Sequence, residues 1–161
     1  MDAIFSPCGK YRYRLDREIH GGHKTVVFIG VNPSIANEEK NDNTVKRMLG
    51  FAERERFGKV IVANVFSIIS TDINGLRADI PLRGEEHDFH FRKIISEADI
   101  LVPCWGDRTK LKSANRHFLD DCMNLLLSSR KPVFCLGKTK VTNDPCHPLM
   151  LSAKTELIKL I

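Results

Sequence analysis

The stretch that decides the fold is Thr25-Val26-Val27-Phe28-Ile29-Gly30-Val31-Asn32-Pro33-Ser34. Its apolar part is continuous rather than alternating, and rich in β-branched residues. A strand with one wet face alternates apolar with polar residues. A strand inside a parallel sheet is covered on both faces and reads as an unbroken apolar run. The run ends at Asn-Pro. Proline lacks an N–H and keeps the residue before it extended, so a polar turn is expected at 32–34.

Three further runs of this kind follow: Val60 to Phe66, Ile100 to Trp105, and Val133 to Leu136. Helical spacing lies between them. Asp42 or Asn43 is placed to cap a helix reaching about Arg56, with Val45, Met48, Leu49 and Ala52 on one face. A second helix is predicted over 85–96, with Phe91, Ile94 and Ile95 inward. A third is predicted over 115–129, with Phe118, Cys122, Leu125 and Leu126 inward, stopped by Pro132. The alternation β-α-β-α-β-α-β, with right-handed crossovers, predicts an α/β fold of three layers, α/β/α, around a four-stranded, mainly parallel sheet. Tyr11 to Leu15 alternates as an edge strand would, and Gly21-Gly22 separates it from the first core strand. The N-terminal region is expected to pack on the sheet edge, as a strand or hairpin, so residues 1–161 read as a single domain.

Bulk properties agree with one globular unit. The chain has 161 residues, 42% hydrophobic and 28% charged, which is enough to bury a core without covalent staples. No apolar run is long enough to cross a membrane, and the first ten residues lack the basic start and apolar stretch of a secretory signal. A cytoplasmic location with no membrane partner is the expectation. The net charge of +5 favours polyanionic partners, nucleic acid among them. The five cysteines are scattered with no C-x-x-C pair, which speaks against a disulfide framework and a zinc site. His87 and His90 stand at i, i+3, without a third ligand nearby. There is no G-x-x-x-x-G-K-[ST], G-x-G-x-x-G or G-x-S-x-G motif, so neither metal nor cofactor is expected.

Open α/β sheets bind ligands beyond the carboxyl ends of their strands. Those ends here carry Asn32-Pro33-Ser34, Asn64-Val65-Phe66, Trp105-Gly106-Asp107-Arg108, and the loop Asn143-Asp144-Pro145-Cys146-His147-Pro148. Each residue also has a structural reading. Asn32 before Pro33 can simply open a turn. Asn64, inside an apolar run, is either a structural bridge or a reader of a ligand, because a buried carboxamide needs partners. His147 reads equally as a loop histidine, Trp105 and Phe66 as core, and Asp107-Arg108 as a solvated strand end.

Taken together, these motifs resemble the uracil-DNA glycosylase superfamily. V-V-F-I-G-V-N-P-S is similar to its strand followed by G-x-[ND]-P, in the form with Asn that the mismatch-specific branch carries. V-I-V-A-N-V-F is similar to the strand whose Asn reads the flipped base, and C-H-P-L-M-L-S resembles the H-P-x-x-L-S loop. A closer resemblance, over nearly the whole chain, is to a family of small bacterial and phage proteins of unknown function. They share R-Y-x-L (Arg12 to Leu15), N-P-S-x-A (Asn32 to Ala36), a helix start like Asp42-Asn43-Thr44, N-[LV]-F (Asn64 to Phe66), W-G and H-P-L.

The glycosylase resemblance implies strand order 2-1-3-4 and cleavage of an N-glycosidic bond. Asn32 and His147 would be catalytic, Asn32 holding a water and His147 donating to the departing base. Asn64 would read the base, Phe66 or Trp105 would stack on it, and Ser34 and Ser152 would bind phosphate. Pro33, Asp42 and Arg47 complete the candidate ligand-binding set, and Thr44 and Arg47 belong with Asp42 to the closer family. The chain lacks Tyr-His or Gly-Leu after Pro33 and the Arg and aromatic residues that follow the third motif. These departures turn the expected partner from duplex DNA toward a single strand, a flipped base or a free nucleotide. The alternative is a non-catalytic nucleotide or nucleic-acid binder of phage or defence context; a weaker third is a transferase that adds a group to a modified base.

Overall fold

The computed structural model describes residues 2–72 and 80–161. In chain order its elements are β1 (Asp2–Phe5), β2 (Arg12–Glu18), β3 (Thr25–Gly30), α1 (Asn43–Arg54), β4 (Lys59–Asn64), α2 (His87–Glu97), β5 (Ile100–Pro103), α3 (His117–Ser128), β6 (Phe134–Cys135) and β7 (Ile158–Lys159). The fold is mixed α/β. Each predicted helix forms within about two residues of its expected ends.

β3 is an interior strand of a five-stranded sheet of order β1-β2-β4-β3-β5. It pairs in parallel with β4 on one side and β5 on the other. Its consecutive side chains feed two separate cores. Val27 and Ile29 pack with Phe91, Ile94 and Ile95 of α2 and Leu119, Cys122 and Leu126 of α3. Val26 and Phe28 pack with Val45, Met48, Phe51 and Ala52 of α1. Burial on both faces is the reason this segment carries no polar residue between Thr25 and Asn32.

Two expectations about the sheet are corrected. It is mixed rather than four-stranded and mainly parallel, because β2 runs antiparallel to β4 and β1 antiparallel to β2. β2 is therefore an interior strand, not an edge; β1 folds back on it as a hairpin and covers it. The expected fourth parallel strand also stays short. Val133 reaches β5 only through an isolated parallel bridge to Leu101, with Leu101 N–H donating to the Pro132 carbonyl at 2.9 Å. The next donor on that side of β5 is at position 103. Pro103 has no N–H to continue the ladder. Phe134–Cys135 instead pairs antiparallel with Ile158–Lys159 in a separate two-stranded sheet. All five cysteines are free, and Cys104, Cys122 and Cys135 are buried as small core residues. Among the described residues no helix is long and apolar enough to cross a membrane.

Candidate functional site

β3 and β4 end side by side, with Gly30 opposite Asn64. Beyond them the turn at 32–34, the first turn of α1, and the loop carrying His147 enclose a cavity of about 460 Å³. That is within the size range of small-molecule sites, about 300–1,000 Å³. Asn32, Pro33, Ser34, Asp42, Asn64, Trp105 and His147 all line it, as does Thr44.

Asn32 Nδ2 donates to the carbonyls of Pro33 at 3.0 Å and Ser70 at 2.9 Å. With both amide hydrogens spent, its Oδ1 is left as an acceptor in a fixed orientation. Asn64 is 9% exposed, and its Oδ1 accepts from Arg12 Nη2 at 3.4 Å. Its Nδ2 occupies space that only a glycine at position 30 leaves open: a β-carbon on Gly30 would lie 3.0 Å from it.

His147 Nδ1 accepts from the Leu149 N–H at 3.3 Å. In the neutral ring the proton therefore sits on Nε2, as a donor. Burial lowers the affinity of the imidazole for a second proton, the nearby Lys110 cation lowers it further, and Asp42 opposes both. The ring is neutral at pH 7. Gly106 N–H donates to the Pro145 carbonyl at 2.8 Å and brings the W-G turn against the histidine loop. The loop is pinned from below by Asp144, 2% exposed, which accepts from Arg108 N at 3.0 Å, Nε at 3.0 Å and Nη2 at 2.8 Å. Arg108 also pairs with Asp120 of α3. Arg108 thus belongs to a structural network rather than to a solvated strand end.

Several candidate residues play other parts. Asp42 lines the cavity but is also the N-cap of α1, its Oδ1 accepting from Val45 N–H at 2.8 Å. Phe66 lies outside the cavity, fully buried and edge-on to Phe118 at 5.2 Å, because its side chain falls on the α2–α3 face of the sheet. Arg47 is also outside; its Nη2 donates to the Leu151 carbonyl at 2.6 Å and ties α1 to the segment after His147. Ser152 is exposed, and its Oγ accepts from Lys154 N–H at 3.2 Å within its own turn. Among the described residues no cluster of three or more His, Cys, Asp or Glu is placed to hold a metal. His87 stacks on Phe91 and His90 on Tyr13.

Sequence reasoning missed Arg12. It lines the cavity although it is only 3% exposed. Its Nη1 donates to the Ala36 carbonyl at 2.7 Å and its Nη2 to Asn64. Burial lowers the guanidinium pKa to about 10, the Asp42 charge raises it, and Arg17 adds to the lowering. Lys110 and the segment Ser70-Thr71-Asp72 also line the cavity without having been expected there. An arginine alternating with Tyr13 and Leu15 signals a wet edge; its bonds to Ala36 O and Asn64 Oδ1, both distant along the chain, hold it inward.

No curated protein and no solved structure matches the chain. No match links it to the uracil-DNA glycosylases, so that relationship rests on the three short motifs alone. A family described as protein of unknown function, DUF1643, matches residues 12–149. The matched span begins at Arg12 and includes Asn32, Asn64, Trp105 and His147, so the cavity lies almost wholly within it. The chain belongs to the DUF1643 family.

Proposed function

We propose that this cavity binds a nucleobase and that the protein is an N-glycosidic bond hydrolase acting on a base in nucleic acid or on a nucleotide. One observation carries the reading. The three residues that match the glycosylase motifs, Asn32, Asn64 and His147, line one cavity. Their hydrogen bonds leave an acceptor on Asn32, a donor on Asn64 and a donor on His147 uncommitted among the described residues. The run β4-β3-β5 also has the order and parallel sense implied for the first three strands of the glycosylase fold.

The chemistry follows from those atoms. The bond between the anomeric carbon and the base nitrogen breaks, and its electron pair leaves with the base. Water adds its oxygen to the anomeric carbon and yields its proton to the base or solvent. Asn32 Oδ1 accepts a hydrogen bond from that water and fixes its position, as a carboxamide orients without being a strong base. The neutral His147 donates from Nε2 to the negative charge growing on the base, a contact that strengthens toward the transition state. Asn64 Nδ2 donates to an acceptor on the base edge.

A second reading is a binder without turnover. It is favoured by Asp42, whose carboxylate is engaged as a helix cap rather than held as a base. The test is mass-spectrometric detection of free base from nucleotides, single strands and duplexes. Asn64→Ala should abolish binding, while Asn32→Ala and His147→Ala should remove release and keep part of the binding. Normal release by all three variants overturns the hydrolase. Binding without release across the whole panel favours the binder.

A further inference from the structure

Among the described residues, two buried side-chain polar atoms lack a hydrogen-bond partner: Arg12 Nε and Trp105 Nε1. Both are donors; Arg12 lines the cavity, while Trp105 stands between it and a second cavity lined by Arg108, Leu119 and Asp144. Buried donors are normally satisfied, and leaving one unpaired is costly. The buried, unpaired donor of Arg12 at this cavity calls for an acceptor on the ligand.

Arg12 adds a charge to this demand. Among the described residues its two hydrogen bonds go to neutral oxygens, Ala36 O and Asn64 Oδ1. The other buried arginines of β2 are better provided for. Arg14 pairs with Asp16 and Glu97. Arg17 spreads its donors over Asn41 Oδ1 and the carbonyls of Asp16, Asn37 and Lys40, and it does not line the cavity. Asp42 attracts Arg12 electrostatically, but it accepts its hydrogen bond from Val45 N–H, and none joins it to Arg12. A buried charge ordinarily has a counter-charge. Lys110 brings a second cation to the cavity, and the first turn of α1, with the hydroxyl of Thr44, opens onto it.

We propose that the ligand carries a phosphate, which takes the counter-charge position facing Arg12 and Lys110. The proposal deepens the nucleobase reading and rests on it for the other half of the ligand: the preferred ligand is a base with its phosphate rather than a free base or nucleoside.

The experiment compares, at one ionic strength, the affinity of the full chain for the common nucleosides, their 5′-monophosphates, short single strands, and inorganic phosphate. The monophosphate or the strand is expected to bind about tenfold or more tighter than the nucleoside, the usual size of one charged hydrogen bond. Inorganic phosphate is expected to compete. A gain for the monophosphate identifies a free nucleotide as the phosphate source; a gain for the strand alone identifies the backbone. Arg12→Met should remove the gain, Arg12→Lys should keep part of it, and Lys112→Met, exposed and away from the cavity, should leave it unchanged. Equal affinity of the wild-type chain for nucleoside, monophosphate and strand overturns the phosphate subsite and leaves the nucleobase reading standing. Saturable binding of inorganic phosphate with no affinity for any nucleoside does the reverse: it supports the subsite and overturns the base half.

Discussion

Gly106 and His147 are packed backbone against side chain. Gly106 has φ +80°, and a β-carbon on it would lie 3.3 Å from His147 Cβ. Position 106 therefore needs glycine twice over, for its backbone and for the space beside the imidazole. Gly106→Ala is expected to cost about 1–2 kcal/mol of stability, measured by urea unfolding. It should also weaken ligand binding by more than that loss explains, since His147 has to shift. Unchanged stability would show that the turn relaxes freely.

Gly30 plays the same part for Asn64. Its added β-carbon would meet Asn64 Nδ2 at 3.0 Å, at an ordinary φ, so crowding of the amide is the main consequence. Gly30→Ala should keep the fold and lower ligand affinity, read by titration calorimetry. Full affinity in this variant would place the Asn64 amide outside the contact.

Asp144 holds the histidine loop through Arg108. Burial pushes the Asp144 carboxyl up, and hydrogen bonds from Arg108 and Thr142 outweigh it, leaving the group below the ordinary carboxylate value. The pair is thus present above pH 3.8 and is lost as the pH falls below it. Asp144→Asn breaks a pair that is buried on one side only, and a loss of about 2–3 kcal/mol is expected in denaturant unfolding. A loss confined to a few tenths would mean that the loop is held by its backbone bonds alone.

Asp42 caps α1 while lining the cavity. Asp42→Ala should cost about 1 kcal/mol, the usual worth of an N-cap. Asp42→Ser, which can still cap, should recover most of it. If both variants keep their stability but lose ligand binding, Asp42 serves the ligand rather than the helix.

His87 makes stability depend on pH. Burial lowers its pKa from 6.5 to about 4, with Arg83 and His90 adding to the shift and Asp88 opposing it. The unfolded chain therefore binds a proton that the folded chain refuses. Stability is full above pH 6.5 and falls as the pH drops toward 4, by an amount on the order of 3 kcal/mol. The unfolding midpoint should fall between pH 7.5 and 5 in the wild type and fall less in His87→Phe. Parallel pH profiles in the two proteins would remove His87 as the cause.

The candidate site was legible in the sequence where it depends on chain direction. Asn32, Asn64 and Trp105 follow or end the parallel strands β3, β4 and β5, whose carboxyl ends come to one edge, and His147 reaches that edge on the loop after β6. The helix cap at Asp42 and the helices over 43–54, 87–97 and 117–128 were legible for a local reason: apolar spacing and a capping side chain act within a few residues.

What the sequence by itself determined is this local layer: element type, buried faces, and which strand ends carry polar groups. The tertiary structure alone decided the rest, because it depends on partners distant along the chain. Pairing with β1 made β2 an interior strand, and partners distant along the chain, Ala36 O and Asn64 Oδ1, hold Arg12 at the cavity. The absent N–H of Pro103 stopped the ladder to Val133. The side of the sheet taken by Phe66 sent it into the core, while the Leu149 N–H set the proton of neutral His147 on Nε2. Periodicity reports that a side chain is buried; only the packed neighbours determine what it is buried against and which of its polar atoms are left for a ligand.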